Sequence, residues 1–201
     1  MNVLLRKISC LFFLFFSFFG SPSAWAEAST YVLDSDKSTI SFQVKSTLHE
    51  FSGTTHDIKG KISIDLQQNR MVDTAEIAIP VMSMQTGITA RDHAMQHMFE
   101  VERYPQIDFR VLSITPLQSD TDSATGTLYE IRGTLKIRRI EREVFFKTRV
   151  FFKPDAPDTI KVEGETTLKT TWFDLVTPAV FGIVRVNPNI RLILTTIWKR
   201  Q

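Results

Sequence analysis

One cysteine occurs in 201 residues, Cys10, and it sits inside an N-terminal apolar run. Once that run is removed no thiol remains, which excludes disulfides, a cysteine nucleophile and thiolate metal ligands. Long apolar runs are scarce as well. Beyond the first 26 residues none approaches the roughly 20 that a spanning helix needs. No sign of charge dominates. The 24 basic residues include Arg6 and Lys7 of the apolar leader, and without those two the rest of the chain balances 22 basic against 22 acidic residues. A neutral remainder carries no electrostatic footprint for nucleic acid. Gly-x-Ser-x-Gly and a glycine-rich phosphate loop are also missing. Acid pairs such as Glu141 and Glu143 fall on the polar face of a strand pattern, where carboxylates are solvated and give no glycosidase site. The expectation is a chain that is not an enzyme, with no catalytic residues and no cofactor.

What is present begins with the leader. Arg6 and Lys7 precede the apolar, phenylalanine-rich stretch Ile8 to Phe19, and Ala24, Trp25 and Ala26 supply a small-x-small cleavage pattern. This reads as a secretory signal peptide over residues 1–26, cut after Ala26. The mature domain is then 27–201, with no membrane span after processing, and a periplasmic location is expected. The surroundings of Cys10 lack the small residues of a lipoprotein cleavage site.

Period-two alternation dominates the remainder. Ile40, Phe42 and Val44 share one parity, as do Ile58 to Leu66, then Ile77, Ile79 and Val81, then Ile107, Phe109 and Val111. Tyr129 to Ile137, Val144 to Phe152, Ile160 to Leu168 and Ile190 to Trp198 continue it. About eight strands with one apolar and one polar face make an antiparallel sheet that must hide one side. Curling into a barrel hides that side and removes the edges. Turns are expected at Gln68 to Arg70, Ser119 to Gly126, Pro154 to Asp158 and Asn187 to Asn189. Phe145, Phe151 and Ile193 break parity and point outward. A helix, a loop or the partner of a homodimer are the covers open to them.

Thr89 to Phe99 has no period-two pattern and reads as a short helix near the barrel mouth. Thr89 is the expected N-cap with Asp92 in the first turn, Met95, Met98 and Phe99 form one stripe, and Tyr104-Pro105 stops the helix before the next strand. His93 and His97 stand four apart on one helical face. With His49 or His56 as a third ligand they would make a His-based metal site; otherwise they are surface histidines, and no metal is assigned. Arg91 is either the cation for a polar head group or the partner of a nearby carboxylate. The run Lys136 to Arg142 is either an anion site or a solvated hairpin end whose charges discourage edge pairing. The strand glycines Gly60, Gly133 and Gly164 either leave room in the interior or mark bends. Ten phenylalanines remain after the leader, enough to line a barrel or to fill one as a structural module with no ligand.

Taken together, Tyr31 to Phe42, Gly60 to Asp65, Arg91-Asp92-His93 followed by Met98-Phe99, Tyr104-Pro105 and Phe109, then Gly133 to Ile137 and Leu168 to Asp174 with Pro178 and Phe181-Gly182, resemble the YceI-like family of secreted bacterial proteins. The likeness spans nearly the whole mature chain. It departs at Ser46 to Gly53, where many members carry a histidine directly after the first strand, and at Thr170 to Asp174, in place of Asp-Phe-Gly. The resemblance implies an all-β, antiparallel eight-stranded lipocalin-like barrel with a short helix near the mouth. It also implies a binder or carrier of a long-chain amphiphile, isoprenoid or fatty-acid-like, in an apolar channel. The side chains expected to hold such a ligand are Phe42, Val44, Ile62, Ile64, Ile77, Ile79, Phe109, Val111, Phe146 and Leu192 on the wall, with Met95, Met98 and Phe99 in the lid.

Overall fold

A computed structural model describes residues 29–47, 49–65, 70–71, 75–117, 126–153, 156–176 and 186–201. The leader and its cleavage site, the turn residues Gln68, Asn69, Ser119 to Thr125, Pro154 and Asp155, and the motif residues Pro178, Phe181 and Gly182 lie outside the described residues.

The strands are β1 (Ser29–Leu33), β2 (Thr39–Ser46), β3 (Glu50–Thr55), β4 (Lys59–Asp65), β5 (Arg70–Met71), β6 (Ala75–Pro80), β7 (Gln106–Pro116), β8 (Thr127–Ile137), β9 (Ile140–Lys153), β10 (Ala156–Lys169) and β11 (Val186–Arg200). One helix, α1 (Thr89–Phe99), lies between β6 and β7. Every pairing is antiparallel, and the order β1-β4-β6-β7-β8-β9-β10-β11 closes on itself where Leu33 meets Trp198 and Tyr31 meets Arg200. Eight strands thus form the ring. β2 prolongs β1 along the other half of β11, β3 returns beside it to β4, and β5 pairs with β4. All of the long connections on the α1 side, together with the β2–β3, β8–β9 and β10–β11 connections, leave the same end of the barrel. That end is the mouth.

The eight strands expected from alternation are all present, because each carries an inward apolar file opposite an outward polar one. Three more, β1, β3 and the two-residue β5, lie outside those files. β1 is short and turns Val32 outward, 37% exposed, while Ser29 is buried. β3 faces the interior with Gly53 and Thr55, so it has no apolar rhythm to read.

The kinks that join β1 to β2 and β3 to β4 are knit by side chains. The Ser38 hydroxyl donates to the Asp34 carbonyl at 2.7 Å and accepts from the Ile197 amide at 3.0 Å. The His56 ring binds the Ser38 carbonyl at 3.0 Å, and the Ile58 amide donates to the Ser35 hydroxyl at 3.1 Å.

Three expectations are corrected by the fold. Asn187 to Asn189 is no turn but an irregularity inside β11, where the register with β2 shifts between Val186 and Ile190 and the Asn189 amide donates to the Asn187 side chain at 2.8 Å. Thr89 is not the cap of α1: Ile88 occupies that position, and Asp92 accepts from the Thr86 amide at 2.8 Å and its hydroxyl at 2.5 Å, tying the incoming loop to the first turn. The helix ends at Glu100, in the left-handed conformation with φ 51°, four residues before Tyr104. Val81, at the end of one apolar file, belongs to a 3-10 turn after β6 and is buried.

Of the parity breakers, Phe145 is 48% exposed on β9. Phe151 lies beneath the Lys161 ammonium at 5.4 Å and against Gly126, and Ile193 is half-buried.

Candidate functional site

The inward files of the barrel do not fill it. They enclose a cavity of about 590 Å³, within the range typical of ligand pockets. All thirteen side chains expected on the wall and lid line it. Phe109 and Phe146 meet edge to face with ring centroids 5.3 Å apart, and Phe42 and Leu192 stand opposite each other on β2 and β11. Ile131, Leu194, Phe173 and Leu175 also line the cavity. The first two sit on the expected inward files. Phe173 and Leu175 come from a short 3-10 turn, Thr170–Phe173, and the residues after it, where no periodic signal exists.

The strand glycines make room for side chains, and Gly133 also sits where the β7–β8 register shifts between Val111 and Ser113. A methyl group on Gly53 would stand 2.3 Å from the Phe42 ring, one on Gly133 would stand 2.3 Å from the Phe109 ring, and one on Gly60 would stand 2.9 Å from the Trp198 indole. Each glycine is the seat of an aromatic ring from elsewhere in the barrel. Gly164 seats the Thr148 methyl, 2.6 Å from such a carbon.

The end opposite the mouth is plugged. Tyr31, Leu33, Ile58, Tyr129, Val150, Ile160 and Trp198 form one buried cluster there. The Trp198 ring N–H donates to the Thr196 hydroxyl at 2.9 Å. Tyr31 is fully buried, and that burial pushes its phenol above the ordinary value.

The mouth is covered by α1, which presents Ala90, Arg91, Ala94, Met95, Met98 and Phe99 to the cavity. Phe99 is buried in the mouth-side cluster with Val81, Ile107 and Phe173. The far end of the helix is held by Arg138, from the β8–β9 turn. Its guanidinium pairs with the Glu100 carboxylate and donates to the Met98 and Asp174 carbonyls, each at 3.4 Å. The run Lys136 to Arg142 is therefore neither an anion site nor simply solvated. Lys136 pairs with Glu141 at 3.8 Å, Arg139 with Asp174 at 3.8 Å, and Arg142 donates to the Trp172 carbonyl at 3.2 Å. Only 11% of the Arg138 side chain is exposed.

Polar groups on the wall are few. Hydroxyls of Ser46, Thr55, Thr86, Thr148, Thr170 and Thr196 are spread along it. The cationic and imidazole groups are His49, Arg91 and Lys169, all at the mouth end; the Tyr129 phenol lies toward the other end, and among the described residues no aspartate or glutamate lines the cavity. The Arg91 guanidinium lies over the Phe51 ring at 4.2 Å, and His49 is tilted against the same ring at 6.3 Å.

The four histidines are not brought together as a ligand set. His56 is engaged at the strand kinks by Ser38 and by Thr39, 3.2 Å from its ring. His93 and His97 stand on the solvent side of α1, whereas His49 faces the cavity. No group of three His, Cys, Asp or Glu side chains suited to a metal occurs among the described residues. No described helix is long and apolar enough to cross a membrane.

The YceI-like domain pattern matches residues 31–196, which spans the barrel from β1 through most of β11. This chain belongs to the YceI-like family. Solved structures with the same fold include BcnA from Burkholderia cenocepacia, at a TM-score of 0.69 and 18% identity, covering 82% of this chain and 98% of that one. A polyisoprenoid binding domain from Saccharophagus degradans, implicated in plant cell wall breakdown, matches at a TM-score of 0.69 and 17% identity, covering 85% and 98%. The YCEI protein of Campylobacter jejuni matches at 0.58 and 17%, covering 74% and 84%. No curated protein matches the chain in sequence. The two departures from the commonest family sequence pattern sit on the mouth. Ser46 to Gly53 forms the β2–β3 connection and the first half of β3, and Thr170 to Asp174 forms the 3-10 turn and its cap.

Proposed function

We propose that this YceI-like chain is a non-catalytic binding or carrier protein for a long-chain amphiphile, isoprenoid or fatty-acid-like, and that it works in the periplasm after residues 1–26 are removed. The observation that carries the reading is the hollow barrel: an apolar-walled cavity of about 590 Å³ with its few cationic and imidazole groups gathered at one end. A tail of ten to fifteen methylenes would gain about 8–12 kcal/mol at ~0.8 kcal/mol each. That is commensurate with the roughly 4–15 kcal/mol of freedom lost on association. Shape and apolarity decide such binding, so a rigid pocket with no internal charge suits a flexible tail. The YceI-like fold and its likeness to a polyisoprenoid binding domain support the same ligand class. A wall without carboxylates among the described residues offers no acid–base pair, which supports a carrier over a hydrolase.

Native mass spectrometry of the exported protein, followed by organic extraction, tests both halves. The expected results are a polypeptide beginning at Glu27 and an adduct that extracts as a long-chain lipid. A species retaining Met1 would end the export reading. Protein that neither carries an extractable lipid nor takes up an added one would end the carrier reading.

A further inference from the structure

We propose that the mouth selects amphiphiles with an anionic oxygen head group, a carboxylate or a phosphate, and that Arg91 is the residue that binds it. This rests on the carrier reading above and adds the head-group class to it.

The argument is one of charge accounting. The chain has nearly as many acidic as basic residues, yet among the described residues the cavity wall holds Arg91 and Lys169 and no carboxylate. The acids nearest the mouth are engaged elsewhere. Glu50 pairs with Lys45 at 3.5 Å, Glu100 pairs with Arg138, and Asp92 is taken by the Thr86 amide and hydroxyl. Among the described residues Arg91 makes no ion pair; its side chain rests on the Phe51 face at 4.2 Å. A guanidinium stacked on a ring keeps its in-plane N–H edge free, and that edge matches the two oxygens of a carboxylate or phosphate. Arg91 is half-buried, so water screens the contact less than at an open surface. It projects from the first turn of α1, beside Met95 and over the β2–β3 hairpin. A tail lying along Met95 and Phe42 would leave its head at the guanidinium. Lys169, at the end of β10, adds a second positive charge to the rim; no carboxylate pairs with it among the described residues.

The test uses three probes with one tail: hexadecanoic acid, hexadecyl phosphate and hexadecanol, titrated into the delipidated protein below their aggregation concentrations. The expected result is that at least one anion binds about tenfold or more tightly than the alcohol, the scale of one charge-assisted hydrogen bond. Which anion is preferred separates a carboxylate from a phosphate source. Arg91→Gln should bring the anions down to the affinity of the alcohol, and a far-UV circular dichroism spectrum like that of the unaltered protein reports that the barrel is intact. Arg91→Lys should retain part of the preference. Equal binding of all three probes by the unaltered protein overturns the head-group proposal and leaves the carrier reading standing. So does a preference that survives Arg91→Gln. Failure of all three probes to bind overturns both.

Discussion

The two ends of this barrel are closed by different physics. At the plugged end the backbone itself closes the ring: β1 joins β11 in register, and Trp198 lies across Gly60 above a fully buried Tyr31. Ladder hydrogen bonds and interlocked rings cannot part without unfolding strands, so that end shares the global stability of the domain. At the mouth, among the described residues, one backbone bridge, Thr54 to Gln85, and a Thr55–Ser83 hydroxyl contact at 2.6 Å tie β3 to the covering segment. The rest is a short helix packed through Met95, Met98 and Phe99 and held by polar contacts of Arg138, Asp92 and Arg91. With fewer contacts than the ring, the mouth is expected to open at a lower free-energy cost than the ring itself. The proposed carrier role needs that asymmetry, since a ligand must enter without the barrel coming apart.

The largest test of this contrast is Trp198→Ala, which removes the plug. It should cost about 3–5 kcal/mol in urea unfolding, with a single cooperative transition. A cost near zero would mean that the closed end does not anchor the ring. Next is Arg138→Met, which removes the guanidinium shared by α1 and the 3-10 turn. A loss of about 2 kcal/mol is expected, the scale of hydrogen bonds to a charged group. Hydrogen exchange should show lost protection in Thr89–Phe99 and Thr170–Val176 but not in β1 or β11. Uniform loss across the barrel would erase the distinction between the ends. Glycine substitutions sharpen it. Gly60→Ala drives a methyl into the caged Trp198 and should cost about 1–3 kcal/mol. Gly53→Ala pushes Phe42, which can swing into the cavity; its stability cost should be smaller, and its main effect a weaker uptake of long-chain probes.

The smallest effect is electrostatic and sits outside the plugged end. Lys199 hydrogen-bonds the Asp34 carboxylate, 2.7 Å away, and holds it below the usual carboxylate range. A depressed carboxylate contributes stability that is fully present above its unfolded value, about 3.9, and is lost as pH falls through the lower folded value. Thermal unfolding between pH 5 and pH 2 should therefore depend less on pH in Asp34→Asn than in the unaltered chain. An identical slope would show that this pair contributes nothing.

Alternation alone located all eight apolar files, because a side chain on a pleated strand has only two directions to choose from and burial selects one. For the same reason each wall residue expected from parity, from Phe42 to Leu192, does face the cavity. The stripe Met95, Met98 and Phe99 was legible from helical spacing. The strands β1 and β3 were not: β1 has only the short inward pair Tyr31 and Leu33 with apolar Val32 turned outward between them, and inward Gly53 and Thr55 give β3 little hydrophobic signal. Nor was the course of β11 through Asn187-Pro188-Asn189, because a bulge and a turn use the same residues.

Local sequence thus determined which residues point inward, where the helix lies and that the sheet must close, all consequences of periodicity and of an apolar face that water excludes. Only the tertiary structure decided that the barrel is hollow, that Gly53, Gly60 and Gly133 seat rings, that Arg138 is a staple with 11% of its side chain exposed, and that Arg91 stands at the mouth without an ion pair among the described residues. Those properties depend on which side chains meet across strands distant in sequence, and no local pattern encodes the volume or charge that is left between them.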